Sequence, residues 1–211
     1  MGMQTKVTRR GLLTLVRGLL ILGLGTLLVG CGTGAGTDAN LPAEEEAGNE
    51  SGSTGTMFYL DPVNGSMAND GSAERPWTTL SAVVAAGLIE TRAYAEVPFT
   101  GDNPLETINP GAPVTAGDTL VLLSGHHGSL DLRGAYNETP ITIRAAVGHT
   151  PTLTHVSLTS VGNWRIDGLS LSPSTAATYE KRTLFSVVSH GYHGPSHHIT
   201  IENSHLYSLA D

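Results

Sequence analysis

From residue 118 onward, apolar and polar positions alternate in short runs separated by Gly, Asn, Ser and Pro. The runs DTLVLLSG (118–125), SLDLRG (129–134), PITIRAA (140–146), THVSLTSV (154–161), NWRIDGLSLS (163–172), RTLFSVVSH (182–190) and HHITIENSHLYSL (197–209) each read as a short strand or strand pair. They also echo one another. Ile143, Ile166 and Ile201 each follow, two residues on, another large apolar side chain: Ile141, Trp164 and Ile199. After Ile166 and Ile201 the echo continues, with Gly168 matching Asn203 and Leu171 matching Leu206. Ile143 and Ile166 are 23 residues apart. Ile166 and Ile201 are 35 apart, and PSTAATYEKR (173–182) reads as a loop insertion that accounts for the excess. A period in the low twenties with about three strands per repeat predicts a solenoid whose turns stack on one another.

The period of 3.6 is rare in this chain. PWTTLSAVVAAGL (76–88) is the exception, with Leu80, Val83, Val84 and Leu88 on one stripe. It predicts a helix with Pro76 in its first turn and Gly87 loosening its end. Before it, DPVNGSMANDGSAERPW (61–77) has the composition of a calcium loop but not its ligand spacing. Asn64-Gly65 and Asp70-Gly71 read as two turns between a first strand, MFYL (57–60), and the helix. Residues 89–116 are too long for a bare turn and are expected to wrap the first coil or form a lip.

The N-terminus has a different character. Lys6, Arg9 and Arg10 precede the apolar run 11–30, which ends at LVGC (28–31). This is the pattern of a secretory leader (1–30), and it resembles a bacterial lipobox in which Cys31 is lipidated. TRRGLL (8–13) carries part of a twin-arginine signal. Residues 31–56, with EEE at 44–46, have almost no apolar bulk and read as a disordered linker. The protein is therefore expected to be exported and held on the cell envelope by its lipid. Gly32 after the lipid cysteine favours the outer membrane in a two-membrane host. Cys31 is the chain's only cysteine, so no intramolecular disulfide forms. The leader takes away Lys6, Arg9, Arg10 and Arg17, and the formal charge moves from −8 to −12. Such an acidic chain argues against nucleic acid as a partner and leaves the lipid as the only expected membrane contact.

YLDPVNGSMANDGSAERPWTTLSAVV, followed by AGDTLVLLSGHHGSLDLRG, PITIRAAVGHTPTLT and NWRIDGLSLS, resembles the opening of right-handed parallel β-helix proteins of the pectate-lyase-like superfamily. The similarity is greatest to polysaccharide lyases of the alginate-lyase and chondroitinase B type. It spans nearly all of 57–211 and implies an all-β, right-handed parallel β-helix (solenoid) with an N-terminal amphipathic cap helix. About four coils are expected, and SHLYSLAD reads as a stop in mid-repeat, so the chain is expected to be truncated relative to such proteins. The resemblance also implies a polysaccharide, acidic ones included, as partner and allows Ca2+ as a cofactor. Lyases of this type use a basic residue and a cation beside a uronate carboxylate, and no residue here maps onto that machinery.

The repeat itself supplies one site candidate. Arg144, Asp167 and Glu202 each follow one of the echoing isoleucines, so inward isoleucines would place the three in one outward column about 4.8 Å apart per coil. Such a column could grip a sugar chain or calcium, or could be a surface charge ladder. Arg133 and Arg165 could line a neighbouring face, while Lys181 and Arg182 read as a solvated loop pair. His190 and His193, with His197 or His198, form a weak candidate for a metal site in HGYHGPSHH (190–198). The adjacent His126 and His127 would point to opposite faces of a strand. Binding of polysaccharide, an active lyase in a longer parent, and a non-catalytic adhesion module all remain open on the sequence.

Overall fold

The computed structural model describes residues 55–179 and 181–208. The leader, Cys31 and most of the linker lie outside the described residues. The fold is mostly β, with little helix and largely parallel sheets. Its strands are β1 (Met57–Leu60), β2 (Thr91–Tyr94), β3 (Leu105–Ile108), β4 (Thr119–Leu122), β5 (Gly125–His126), β6 (Leu130–Ala145), β7 (Pro151–Leu153), β8 (Val156–Asp167), β9 (Ser170–Leu171), β10 (Phe185–Val188), β11 (His197–Glu202) and β12 (His205–Leu206).

The parallel pairs arrange these strands in three columns. β1, β4, the second half of β6, the second half of β8, and β11 form one. The first halves of β6 and β8 with β10 form another. β5, β7, β9 and β12 form the third. The expected register is present: Ile141, Trp164 and Ile199 pair in one row, and Ile143, Ile166 and Ile201 in the next. Leu171 pairs with Leu206. Gly168 and Asn203, at equivalent places after those rows, both have positive φ, 74° and 50°. A left-handed residue there turns the chain out of the strand in successive coils.

Ile143 and Ile166 are fully buried, whereas Ile201, in the outermost described row, is 41% exposed. Full burial of such a side chain stabilises by roughly 1.5–3 kcal/mol, so the stacked rows hold the coils together. The separate strands expected at 129–134 and 140–146, and at 154–161 and 163–172, are joined into β6 and β8, which continue through the corner. Ser160 and Asn163 take left-handed φ of 54° and 59° there. Asn163 Nδ2 donates to Asn137 O (2.7 Å), and Asn137 Nδ2 donates to Asn163 O (3.1 Å). This reciprocal amide pair ties two coils at the corner, and Trp164 Nε1 donates to the buried Ala135 carbonyl (2.9 Å).

The helix is shorter than the apolar stripe suggested. α1 spans Leu80–Ala85, with Thr79 as N-cap accepting from Ala82 N. The helix does not start at Pro76 because Trp77 pairs with β1: Trp77 N donates to Tyr59 O, and Asp61 N donates to Trp77 O. Leu80 and Val83 are buried, and Val84 and Leu88 pack partly buried against the same core. Gly87, at φ 66°, ends the element as expected. The 61–77 stretch is a pair of turns. Asp61 accepts from Val63 N, Asn64 N and Asn64 Nδ2, and Asp70 accepts from Ser72 N. Gly71 has φ 80°, and a Cβ there would lie 3.0 Å from the stacked rings of Phe58 and Trp77.

Candidate functional site

The outward rows carry the polar chemistry. Arg144, Asp167 and Glu202 do lie in one row, Arg144 paired in register with Asp167 and Asp167 with Glu202. Thr142, Arg165 and Thr200 form the neighbouring outward row. Within this face the side chains do not pair straight up the column. Glu202 is drawn to Arg165 in an ion pair, and Asp167 Oδ1 accepts from Asn203 Nδ2 at 2.8 Å. The two carboxylates expected to share a calcium ion are thus engaged by separate neighbours. Arg144 forms no ion pair among the described residues; its Nη2 lies 3.7 Å from Met57 Sδ.

Beside this face runs a trough made of two adjoining cavities of about 290 and 560 Å3 that share Thr115 and Ala116. The larger reaches Thr142 and Arg165, and the smaller reaches Tyr136, Asn137 and Glu138. Its outer wall is the antiparallel hairpin β2–β3, which β6 holds through the Arg92–Tyr136 pair. Arg92 donates to Glu138 at 2.6 Å across the smaller cavity. Residues 89–116 therefore do form a lip, and its hairpin was not expected. The alternation in TRAY (91–94) and LETI (105–108) is the signal that could have found it. Asp118 anchors the trough floor, accepting from Thr56 N and Thr115 N, both at 2.7 Å. Six threonines, including Thr115, Thr139 and Thr142, line the two cavities.

The histidine-rich turn is organised differently from a metal site. His190 and His193 have ring centroids 5.3 Å apart, and His190 Nδ1 accepts from Tyr192 N within the turn. His197 stacks on Tyr136, whose hydroxyl donates to Pro195 O at 2.8 Å. Burial pushes the Tyr136 phenol up to about 12. Among the described residues, no group of three or more His, Cys, Asp or Glu is placed to hold a metal ion. His126 and His127 differ in environment: His127 is fully buried and donates from Nε2 to Leu123 O (2.8 Å). The chain matches no protein-family model, and it has no match among curated proteins or solved structures.

A second polar cluster went unrecognised in the sequence. His155 is buried and bonded through Nε2 to Asp131 Oδ1 (3.0 Å), and Arg182 reaches the same ring. Arg182, read as part of a solvated loop, is instead folded back onto the coil. Burial acts to raise the Asp131 carboxyl, but hydrogen bonds from Ser129 and His155 outweigh it and hold the group below its ordinary value.

Proposed function

We propose that residues 57–208 form a right-handed parallel β-helix that binds polysaccharide along the Arg144 face and its trough. The wider reading is a protein exported and tethered to the cell envelope by lipid at Cys31. The observation that carries the binding reading is Arg144, a cation without an ion-pair partner among the described residues. It stands in register with Asp167 and Glu202 beside a long hydroxyl-lined depression. A polymer of sugars suits an elongated trough of this kind: threonine hydroxyls donate to and accept from its hydroxyls, and Arg144 pairs with a carboxylate. Arg165 and Arg92 are each already held by a glutamate, which makes them orienting groups that a ligand carboxylate would have to compete for. An acidic glycan bound through Arg144 is the ligand of choice.

The test is calorimetric titration of the full chain in mild detergent with hexagalacturonate. Binding that weakens about tenfold in Arg144→Ala, with added salt weakening it further, is expected. Equal affinity in wild type and variant would reject the face. Release of unsaturated uronate ends during the titration would replace binding with lyase activity as the reading.

A further inference from the structure

The Asp131 cluster lies on a different strand column from the trough and shares no lining residue with it. Asp131, Ser157 and Ser186 follow one another in register on β6, β8 and β10, so their outward side chains rise along the coil axis about 4.8 Å apart. Ser186 Oγ donates to Ser157 Oγ at 3.4 Å, a long contact that leaves both hydroxyls able to take a better partner. His155 immediately precedes β8, and its buried ring bonds Asp131, whose other oxygen accepts from Ser129 Oγ at 2.7 Å. Arg182 Nη1 is 3.1 Å from each nitrogen of that ring. Equal distances place that nitrogen against the ring as a whole rather than at one lone pair. Asp131, His155, Ser157, Arg182, Thr183 and Ser186 line an open depression of about 280 Å3.

From this arrangement we infer a second carbohydrate site, one that takes a neutral, hydroxyl-rich sugar residue. Three features select that ligand. Apart from the His155 ring, the lining carries only charged and hydroxyl-bearing side chains, which disfavours an apolar guest. The carboxylate of Asp131 stands in the lining and would repel an anion. Carboxylate, guanidinium and three hydroxyls together offer acceptors and donors side by side, which is what adjacent sugar hydroxyls require. Asp131 is preset for this by Ser129 and His155, so little side-chain freedom is lost on binding. The site goes beyond the acidic-glycan reading of the trough and does not depend on it.

The experiment titrates the full chain in detergent with cellohexaose, mannohexaose and xylohexaose, with hexagalacturonate as the anionic comparison. At least one neutral hexaose should bind, and Asp131→Asn should weaken it by about tenfold or more. Ser157→Ala, which leaves the Asp131–His155–Arg182 contacts untouched, should weaken it several-fold, while Arg144→Ala should not. Unchanged thermal unfolding in Ser157→Ala guards against a folding defect. Failure of all three neutral hexaoses to bind would overturn the site, as would binding indifferent to both substitutions. Loss of hexagalacturonate binding alone would strike the trough and spare this site.

Discussion

The buried imidazole of His127 makes the fold's stability depend on pH well above the carboxylate range. The side chain is fully buried, its Nε2 donates to Leu123 O, and its Nδ1 has no partner among the described residues. A second proton would sit on that unpartnered Nδ1, inside the core. Burial therefore pushes the ring down from its ordinary 6.5 to about 4, against the opposing hydrogen bond to Leu123 O and a smaller pull from Asp61, with His126 adding to the lowering. In the unfolded chain the ring takes up its proton as pH falls through 6.5, while in the folded chain it resists until about 4. Its contribution is thus fully present above 6.5 and is lost as pH falls. Linkage makes the loss about 2 kcal/mol by pH 5 and about 3 kcal/mol by pH 4. The assay is urea unfolding, followed by tryptophan fluorescence, at pH 7.5 and pH 5. His127→Gln is the control, because its amide can still donate to Leu123 O but does not titrate. Wild type should lose about 2 kcal/mol more than His127→Gln between the two conditions. Equal losses in both proteins would refute the reasoning.

Other consequences concern the stack. Ile166→Ala removes a fully enclosed member of an isoleucine row and should cost about 3 kcal/mol, whereas Ile201→Ala, where 41% of the residue is already exposed, should cost about 1 kcal/mol; chemical denaturation of the two variants measures the contrast. Asn163→Gly keeps the left-handed backbone and the Asn163 carbonyl that accepts from Asn137 Nδ2, but deletes the Asn163 Nδ2 donor to Asn137 O, and should cost about 1 kcal/mol by the same measurement. Asn163→Ala adds backbone strain of about 1 kcal/mol or more to that loss, so it should be the less stable of the two.

The inner rows were legible because burial imposes them. Ile143 with Ile166, and Ile141 with Trp164, can recur at a fixed spacing only if each coil places the same position over the last. The outward row of Arg144, Asp167 and Glu202 followed from that register without further information. Its internal pairing did not, because rotamer and side-chain length decide whether Glu202 meets Arg165 or a metal ion, and neither is written in the spacing. The helix start was misplaced because a β-bridge from Trp77 to Leu60 competes with Pro76 for the local backbone. The Asp131–His155–Arg182 cluster joins residues up to 51 positions apart in sequence. Its arginine arrives from an insertion that has no counterpart in the neighbouring repeats, so periodicity held no trace of it.

Under the proposed function, glycan is held on the outward face of the stacked strands. Amide chemical-shift mapping of the 15N-labelled protein during titration with hexagalacturonate tests it most directly. The shifts should gather at residues 115–118, 139–144 and 164–167 and vanish in Arg144→Ala. Shifts confined to the turns at 61–75, or none at saturating sugar, would contradict it.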